Sequence, residues 1–224
     1  MFDGKAEEGG LKAGLRAGLA LVPPTMAIGM SFGVLAEPVI GGPAAVAMSL
    51  LVFAGTAQFA AISTLATGGA ALTAVSAGLL MNMRFLAMGI ASAPIWRGGP
   101  LRRAVEGQAV VDTSWALANR GDGSFDRGLM IGTTIPQYFA WTAGTVVGVV
   151  AGAALGDPEA LGLDAIFPAF YLTLLASEAR SGAALTSALL GAAIALCLIP
   201  VAPPGLPVLV ASVAALLGLR RRGR

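Results

Sequence analysis

Histidine is absent from this 224-residue chain, and cysteine occurs once, as Cys197. Histidine is the commonest general base and transition-metal ligand, so its absence excludes a serine–histidine hydrolase and a histidine-ligated metalloprotease. A single cysteine excludes a disulfide within the chain and a cluster of metal thiolates. An aspartyl hydrolase would need two buried aspartates, and only Asp112 lies near the interior of an apolar stretch. We therefore expect neither an enzyme nor a bound metal or cofactor.

Charged residues are also scarce: they make up 12% of the chain, against about 25% in an average soluble domain. Stretches of 20, 46, 29 and 39 residues contain none, at 17–36, 38–83, 128–156 and 181–219. A helix that crosses the hydrocarbon core of a membrane needs about 20 predominantly apolar residues. The composition thus predicts an all-α, polytopic inner-membrane bundle with about six to eight spans and broken or re-entrant helices.

Proline, glycine and charge predict where these helices begin and end. A first helix near 14–36 should kink at Pro23-Pro24, and Glu37-Pro38 and Gly41-Gly42-Pro43 should end it. Further helices are expected at 44–65, 70–96, 103–119, 128–155, 165–179, 182–199 and 206–219, with Thr67-Gly68-Gly69 and a polar loop at 120–127 between them. We expect a cytoplasmic tail at 1–13, one transmembrane transporter domain at 14–219 and a basic cytoplasmic tail at 220–224.

The distribution of basic residues predicts the orientation, with one conflict. Lysine and arginine favour the cytoplasmic side, so Arg16 and the arginines of 220–224 place both termini there. Three simple crossings before Arg97 would leave Arg97, Arg102 and Arg103 outside. Either one stretch of 44–96 is re-entrant, or these residues break the rule.

A weak internal repeat is also present in the sequence. The segment GLRAGLALVPP at 14–24 resembles GLMIGTTIPQ at 128–137, and a glycine follows each copy at a similar distance, Gly33 and Gly148. Many transporters are built from such repeats. If the repeat is real, both copies start on the cytoplasmic side and run parallel.

Polar residues interrupt the longest charge-free run at VFAGTAQF, residues 52–59. Gly55 would allow close approach of another segment or local unwinding, and Thr56 and Gln58 would then face a substrate near the midplane. Unwound backbone at this depth is tolerated where protein or a cavity covers it. The alternative is a seam of small and polar residues between packed helices.

Asn82 and Arg84 form a second group, in LLMNMRFL. Residues two apart are about 200° apart around a helix, so both cannot face one site on a regular helix. Arg84 is either an anchor for a substrate carboxylate, a structural partner of Asp112 or Glu37, or a side chain that reaches the interface.

Asp112 and the pair Glu178 and Arg180 complete the candidates. Asp112 would share a helix face with Gln108 and would carry a proton or bind an ammonium group; alternatively it belongs to an interfacial polar helix. Glu178 and Arg180 fall where a span should end and predict a solvated helix terminus.

The chain resembles the large subunits of branched-chain amino-acid exporters, the AzlC family. The matching segments are the opening at 14–36, SLLVFAGTAQFAA at 49–61, LLMNMRFL at 79–86, DTSWAL at 112–117 and FPAFYLTLL at 167–175. The resemblance implies an inner-membrane secondary carrier that exports leucine, isoleucine, valine or similar amino acids, with a small AzlD-like multispanning subunit as partner. No nucleotide-binding motif is present, and no nucleic-acid partner is expected.

On this resemblance, Gly55, Thr56, Gln58, Asn82 and Arg84 are the expected substrate-binding residues and Asp112 the ion-coupling residue. Two positions depart from the family pattern: Phe85 stands where a histidine is usual, and Thr113 where a glutamate is usual. Both departures remove a group that exchanges protons. The alternatives are a carrier or channel for another small organic solute, or a membrane scaffold that transports nothing.

Overall fold

A computed structural model describes residues 2–120, 122–155, 182–202 and 213–215, together with positions 172, 175, 176, 207, 210 and 211. Only the backbone is described at 2–8, 153, 155, 183 and 215. These residues are helical or in connections, with one isolated bridge between Asn119 and Phe125. The helices are α1 (Phe2–Ala20), α2 (Val22–Ile40), α3 (Gly42–Val52), α4 (Gly55–Ala66), α5 (Ala71–Ser92), α6 (Pro100–Gly107), α7 (Asp112–Ala118), α8 (Arg127–Leu155) and α9 (Gly182–Leu198).

The predicted all-α class is confirmed for these residues, and several boundaries agree closely. The turn at 67–70, the polar loop at 120–127, α8 and α9 lie where the sequence places them. The predicted helices at 165–179 and 206–219, the pair Glu178 and Arg180, and the basic tail at 220–224 lie largely or wholly outside the described residues.

The first predicted helix is bent at its proline pair, as expected. α1 and α2 meet at Leu21 with an angle of 56° between them, and the prolines occupy the first turn of α2. A proline there costs little because the first N–H groups of a helix have no partner within it. α1 begins at Phe2, far before residue 14. Of the two predicted terminators, Glu37-Pro38 is wrong, because Pro38 lies inside the last turn. The helix ends at Ile40 and is capped by Gly41, the start of the second predicted terminator, whose φ is 81°.

Two predicted helices are each divided in two. The stretch 44–65 is broken at Phe53-Ala54, between α3 and α4. The stretch 103–119 is divided into α6 and α7, because Gly107 ends the first and Ser114 caps the second: the Val111 N–H donates to Ser114 Oγ at 3.2 Å. Gln108 therefore does not share a helix face with Asp112, and that prediction is wrong.

Met1–Gln58 and Asn82–Ala154 form one compact unit, in which α1 and α2 run beside α8 in the same direction. Backbone meets backbone along this interface. A Cβ on Gly14 would fall on Leu129 O and the Gly132 Cα, and a Cβ on Gly132 would fall on Leu11 O and the Gly14 Cα.

The same reciprocal contact recurs further along the interface, between Gly33 and Gly148. The two segments of the predicted repeat thus lie side by side and parallel. Small residues spaced four apart allow this close approach between membrane helices.

The other helices of this unit run against α8. At the start of α3, Gly42 packs beside Val149 of α8. Near the end of α3, Leu50 O accepts a hydrogen bond of 2.9 Å from the hydroxyl of Tyr138. At the end of α5, Trp96 packs with Phe125 and Met130 at the start of α8. The basic residues at the start of α1, at the start of α8 and after α5 therefore lie at one end of this unit.

An ion-pair cluster fixes α6 at that end. Arg127 donates to both carboxylate oxygens of Glu106, with Nε at 3.0 Å from Oε2, and Arg102 donates to Oε1 at 2.7 Å. The bonds from Arg127 hold the pKa of Glu106 below its ordinary value, against the opposing effect of partial burial.

The second compact unit contains Phe59–Met81 and the described residues from Leu155 onward. The end of α4 turns through Gly68, whose φ is 80°, and Gly69 N–H donates to Thr64 O at 2.8 Å. A Cβ added to Gly191 of α9 would lie 3.5 Å from Ala211 O and 3.8 Å from the Ala214 Cβ, which are ordinary van der Waals distances.

One described helix is long and apolar enough to cross a membrane, Ala71–Ile95, and the bent pair α1–α2 makes a second if it counts as one span. An exposed apolar stripe follows α5; its members, 57–78% exposed, are Leu72, Val75, Leu79, Met83, Leu86 and Ile90. Such a surface is unusual for a soluble monomer and usual against lipid. The total of six to eight spans stays a prediction.

The glycine interface predicts a sharp effect of added volume. We expect Gly33→Ala to lower the free energy of unfolding by about 1–3 kcal/mol, because a methyl group at this position must displace backbone atoms of α8. Gly9→Ala is the matched control, since nothing lies within 4 Å of its added Cβ. Thermal unfolding in detergent measures both; equal melting temperatures would contradict the packing described.

Candidate functional site

The break in VFAGTAQF lies between α3 and α4, at Phe53 and Ala54. Phe53 has a φ of 34° and ψ of 50°, a left-handed conformation that is rare for a residue other than glycine. Its ring packs edge-on against Tyr138, with centroids 5.1 Å apart. Backbone strain of this kind costs on the order of 1–3 kcal/mol and clusters at functional sites.

Arg84 connects this break to α7. Its Nη2 donates to Thr56 Oγ1 at 2.9 Å and to Asp112 Oδ2 at 2.8 Å, so both hydrogens of that nitrogen are used. The Arg84 Nε is buried without a hydrogen-bond partner among the described residues. Side-chain exposures of 34% for Arg84 and 42% for Asp112 leave the ion pair accessible. Of the two structural partners considered for Arg84, Asp112 and Glu37, the described contacts favour Asp112.

A cavity of about 400 Å³ borders this ion pair through Phe85 and Val111, the chain neighbours of Arg84 and Asp112, which do not line it themselves. Its lining is mostly apolar, and the polar side chains are those of Asn82, Arg103 and Gln108; the remaining lining residues are Val52, Phe53, Ala54, Phe85, Gly89, Trp96, Gly107, Val110 and Val111. The Oδ1 atom of Asn82 is buried with no hydrogen-bond partner in the described part of the chain. It is therefore an acceptor available to a donor in the cavity.

The same three segments build the cavity and the ion pair. The break contributes Phe53 to the cavity and Thr56 to the ion pair, and Val111 of the cavity precedes Asp112. On α5, Phe85 lines the cavity while the Arg84 Cζ lies 4.8 Å from the centroid of its ring. An apolar space with a charged pair at its border is thus assembled around the break.

Gln58 belongs to a separate group of hydrogen-bonded side chains, which we call the polar seam. Its other members are Ser49, Trp141 and Thr145. Thr145 donates to Trp141 O, so the Ser49 hydroxyl donates to Thr145 Oγ1 at 2.8 Å. Ser49 Oγ then accepts from Gln58 Nε2 and from Trp141 Nε1, each at 3.2 Å. Gln58 is fully buried, and its Oε1 has no hydrogen-bond partner within the described ranges.

The structure thus brings together some of the predicted residues and separates others. Thr56, Arg84 and Asp112 are in contact, while Asn82 opens into the cavity on another face of α5, as the spacing of Asn82 and Arg84 requires. Gln58 lies in the packing seam. A Cβ on Gly55 would lie 2.7 Å from the Trp141 ring, so this glycine makes room for an indole.

Comparison with known proteins identifies the family. The sequence profile of the AzlC protein matches residues 20–155, which is more than half of the chain. The chain belongs to the AzlC family.

AzlC proteins are a family of membrane transport proteins. The inner membrane protein YgaZ of Escherichia coli K12 is 29% identical over 205 residues, covering 84% of this chain and 83% of YgaZ. An uncharacterized membrane protein of Helicobacter pylori J99 is 26% identical over 172 residues, covering 75% of each chain. No solved structure matches this chain. The prediction of a membrane protein agrees with these relatives.

The structure describes the contacts of the two residues that depart from the AzlC pattern, Phe85 and Thr113. Phe85, where histidine is usual, stacks on Arg84 and lines the cavity. Thr113, where glutamate is usual, donates to Gln137 Oε1 at 3.0 Å. A phenyl ring cannot exchange a proton, so Asp112 is the carboxylate that remains beside the cavity of this AzlC protein.

Sequence reasoning missed three groups of residues. The first group consists of polar residues in charge-free runs: Ser49, Gln137 and Thr145. The reasoning that selected Gln58 could have selected them as well. Trp96 and Arg103 fall outside the matched segments, and only the fold brings them to the cavity. Gly89 carries no functional group and gives no chemical signal in the sequence.

The ion pair of this AzlC protein predicts strong coupling between its two members. Arg84→Gln or Asp112→Asn leaves one charge beside an apolar cavity, and we expect each to cost roughly 1–3 kcal/mol, between the values for exposed and buried pairs. The double variant should cost less than the sum of the two. Thermal unfolding of all four proteins in detergent measures the coupling; additive losses would show that the contact contributes nothing.

Proposed function

We propose that this chain is a subunit of a secondary transporter that exports branched-chain or similar apolar amino acids across the inner membrane. The observation that carries the proposal is the apolar cavity of about 400 Å³ with the Arg84–Asp112 pair at its border. A zwitterionic amino acid needs groups of both charges and an apolar space. Small-molecule sites are typically apolar clefts with a few placed polar groups.

In this proposal Arg84 binds the substrate carboxylate. Its Nη2 already holds one carboxylate, that of Asp112, and its Nε has no partner among the described residues. A substrate carboxylate would therefore compete with Asp112 for the guanidinium group. Thr56 keeps the guanidinium at the helix break, and Asn82, on another face of α5, lines the cavity that would take the apolar part of the substrate.

Export driven by an inward proton gradient requires that the proton and the substrate exclude one another at the site. The ionised carboxylate of Asp112 attracts the ammonium group of a substrate whose carboxylate is held at Arg84, and protonation of Asp112 removes this attraction and favours release. Asp112 then acts as the ion-coupling residue, because it holds either the substrate or the proton.

The directions of the helices support the interpretation that α3 and α4 form a re-entrant pair, which enters and leaves the membrane on the same side. α2 leaves the end of the first unit where α1 and α8 begin, and α5 returns to that end. If α3 and α4 together made a full crossing, α5 would end on the opposite side. α3 has 11 residues and spans about 16 Å, too short to cross about 30 Å of hydrocarbon.

A re-entrant pair also removes the conflict at Arg97, Arg102 and Arg103. These residues then lie on the same side as Lys12 and Arg16, which the positive-inside rule assigns to the cytoplasm. On this basis we propose that both termini are cytoplasmic. For the C-terminus, the proposal depends only on the arginines of residues 220–224.

We propose a small AzlD-like multispanning subunit as the partner of this chain, as the family resemblance implies. An apolar groove of about 550 Å³ opens between α3, α6 and α8, and Leu51, Val105 and Phe139 are more than 60% exposed there. A surface of this kind needs lipid or protein against it.

Release of preloaded amino acids tests the proposal. Cells that contain the chain together with the partner subunit should release leucine, valine and methionine faster than cells without it. Arg84→Ala and Asp112→Ala should abolish this release, because each removes one charge of the site. Met83→Ala, an exposed neighbour of Arg84 on α5, is the control and should export normally.

The variants distinguish the alternatives when their amounts in the membrane match the wild type. Normal export by both charge variants would remove the proposed site. Wild-type cells that release none of the three amino acids would favour a carrier for another solute, a channel or a scaffold. Asp112→Asn should lose gradient-driven export but keep exchange of external for internal leucine, because exchange needs no net proton movement.

A further inference from the structure

Gly89 and Gly9 differ from most helical glycines of the first unit, and of these two only Gly89 lines the cavity. Gly29, Gly33, Gly144 and Gly148 lie against the backbone of a neighbouring helix, so a side chain there would collide with it. Nothing lies within 4 Å of a Cβ built on Gly89. Neither close packing nor a left-handed φ explains this residue, since Gly89 is absent from the positive-φ positions.

A glycine inside a helix costs about 1 kcal/mol relative to alanine. Gly89 stands in the interior of α5, near its C-terminal end, and therefore weakens the helix without a packing benefit. It faces the cavity: Asn82, Phe85 and Gly89 recur at intervals of three and four residues on one face of α5, and all three line the cavity. The missing side chain leaves space in the cavity.

Gly107 also lines the cavity and also has open space around an added Cβ. It ends α6, however, where glycine is common for reasons of backbone conformation. Gly89 is thus the glycine whose identity the cavity explains best.

We propose that Gly89 determines the largest apolar side chain that the site accepts. This inference rests on the proposed function, in which the charged groups of the substrate are held at Arg84 and Asp112. α5 rises about 7.5 Å from Arg84 to Gly89, so Gly89 lies one and a half turns from the ion pair. The apolar side chain of a bound amino acid extends towards Gly89, between Phe85 and Trp96.

The proposal predicts a size-selective loss of transport. Filling this end of the cavity displaces the distal groups of a large side chain and leaves a small one untouched. One displaced methylene in an apolar pocket changes specificity by roughly tenfold or more. Gly89→Val and Gly89→Leu should therefore lower leucine and methionine transport at least about tenfold relative to alanine transport, with Gly89→Ala between them and the wild type.

The experiment measures competition in membrane vesicles that contain the full chain and its partner subunit. Radiolabelled leucine and alanine are supplied together, and the ratio of their transport is compared among wild type, Gly89→Ala, Gly89→Val and Gly89→Leu. Ala87→Leu is the matched control, because it adds comparable volume to an exposed position of the same helix. Its leucine-to-alanine ratio should equal that of the wild type.

A ratio that falls in the order of side-chain size supports the proposal. An unchanged ratio, including an equal loss of both substrates in every Gly89 variant, overturns it and leaves the proposed function intact. Failure of the wild type to transport any amino acid is a separate result and removes the proposed function itself. If the larger variants misfold, Gly89→Ala still tests the proposal, because alanine favours the helix more than glycine does.

Discussion

The helix break at Phe53-Ala54 is the constraint on which the rest of the site depends. Backbone groups outside a regular helix are costly in hydrocarbon, and they are tolerated only where protein or a water-filled cavity covers them. Here the cover is provided by α5, α7 and α8: Arg84 bonds to Thr56 just after the break, and Tyr138 packs on Phe53. The break in turn contributes residues both to the mostly apolar cavity and to the contacts of the ion pair.

The glycine interface provides the rigid support for this arrangement. α1 and α2 approach α8 so closely that backbone atoms are in contact, and the polar seam of Ser49, Gln58 and Thr145 joins α3 and α4 to α8. A seam of this kind fixes the start of α4, and hence Thr56, relative to α8. In an account of transport, the seam is a fixed part and the exposed ion pair is the part that exchanges partners.

Much of the fold followed from composition, because charge-free runs and proline or glycine punctuation predict apolar helices directly. The kink at Pro23-Pro24, α8 and the turn after Ala66 are of this kind. The division of 103–119 was not predicted, since it depends on the cap formed by Ser114. Of the two predicted terminators of α2, Glu37-Pro38 was wrong because a proline in a last turn is tolerated when a glycine can terminate the helix.

The candidate site was predictable in its chemistry and not in its grouping. Polar residues in apolar runs selected Thr56, Arg84 and Asp112, which meet, but also Gln58, which lies in the seam. A pairing across 28 residues, as between Arg84 and Asp112, requires the fold. Asn82, selected from the sequence, lines the cavity, whereas Gly89 is recognised only from the space around it.

Accessibility to water along α5 tests the central claim most directly. Cys197 is the sole cysteine, so Cys197→Ser gives a background for Asn82→Cys and Leu86→Cys, and a water-soluble thiol reagent is applied to vesicles of both orientations. A thiol reacts as its thiolate, which needs water. The account predicts that Asn82→Cys reacts, that leucine slows the reaction, and that Leu86→Cys stays unmodified. Reaction at Leu86→Cys with none at Asn82→Cys would contradict it.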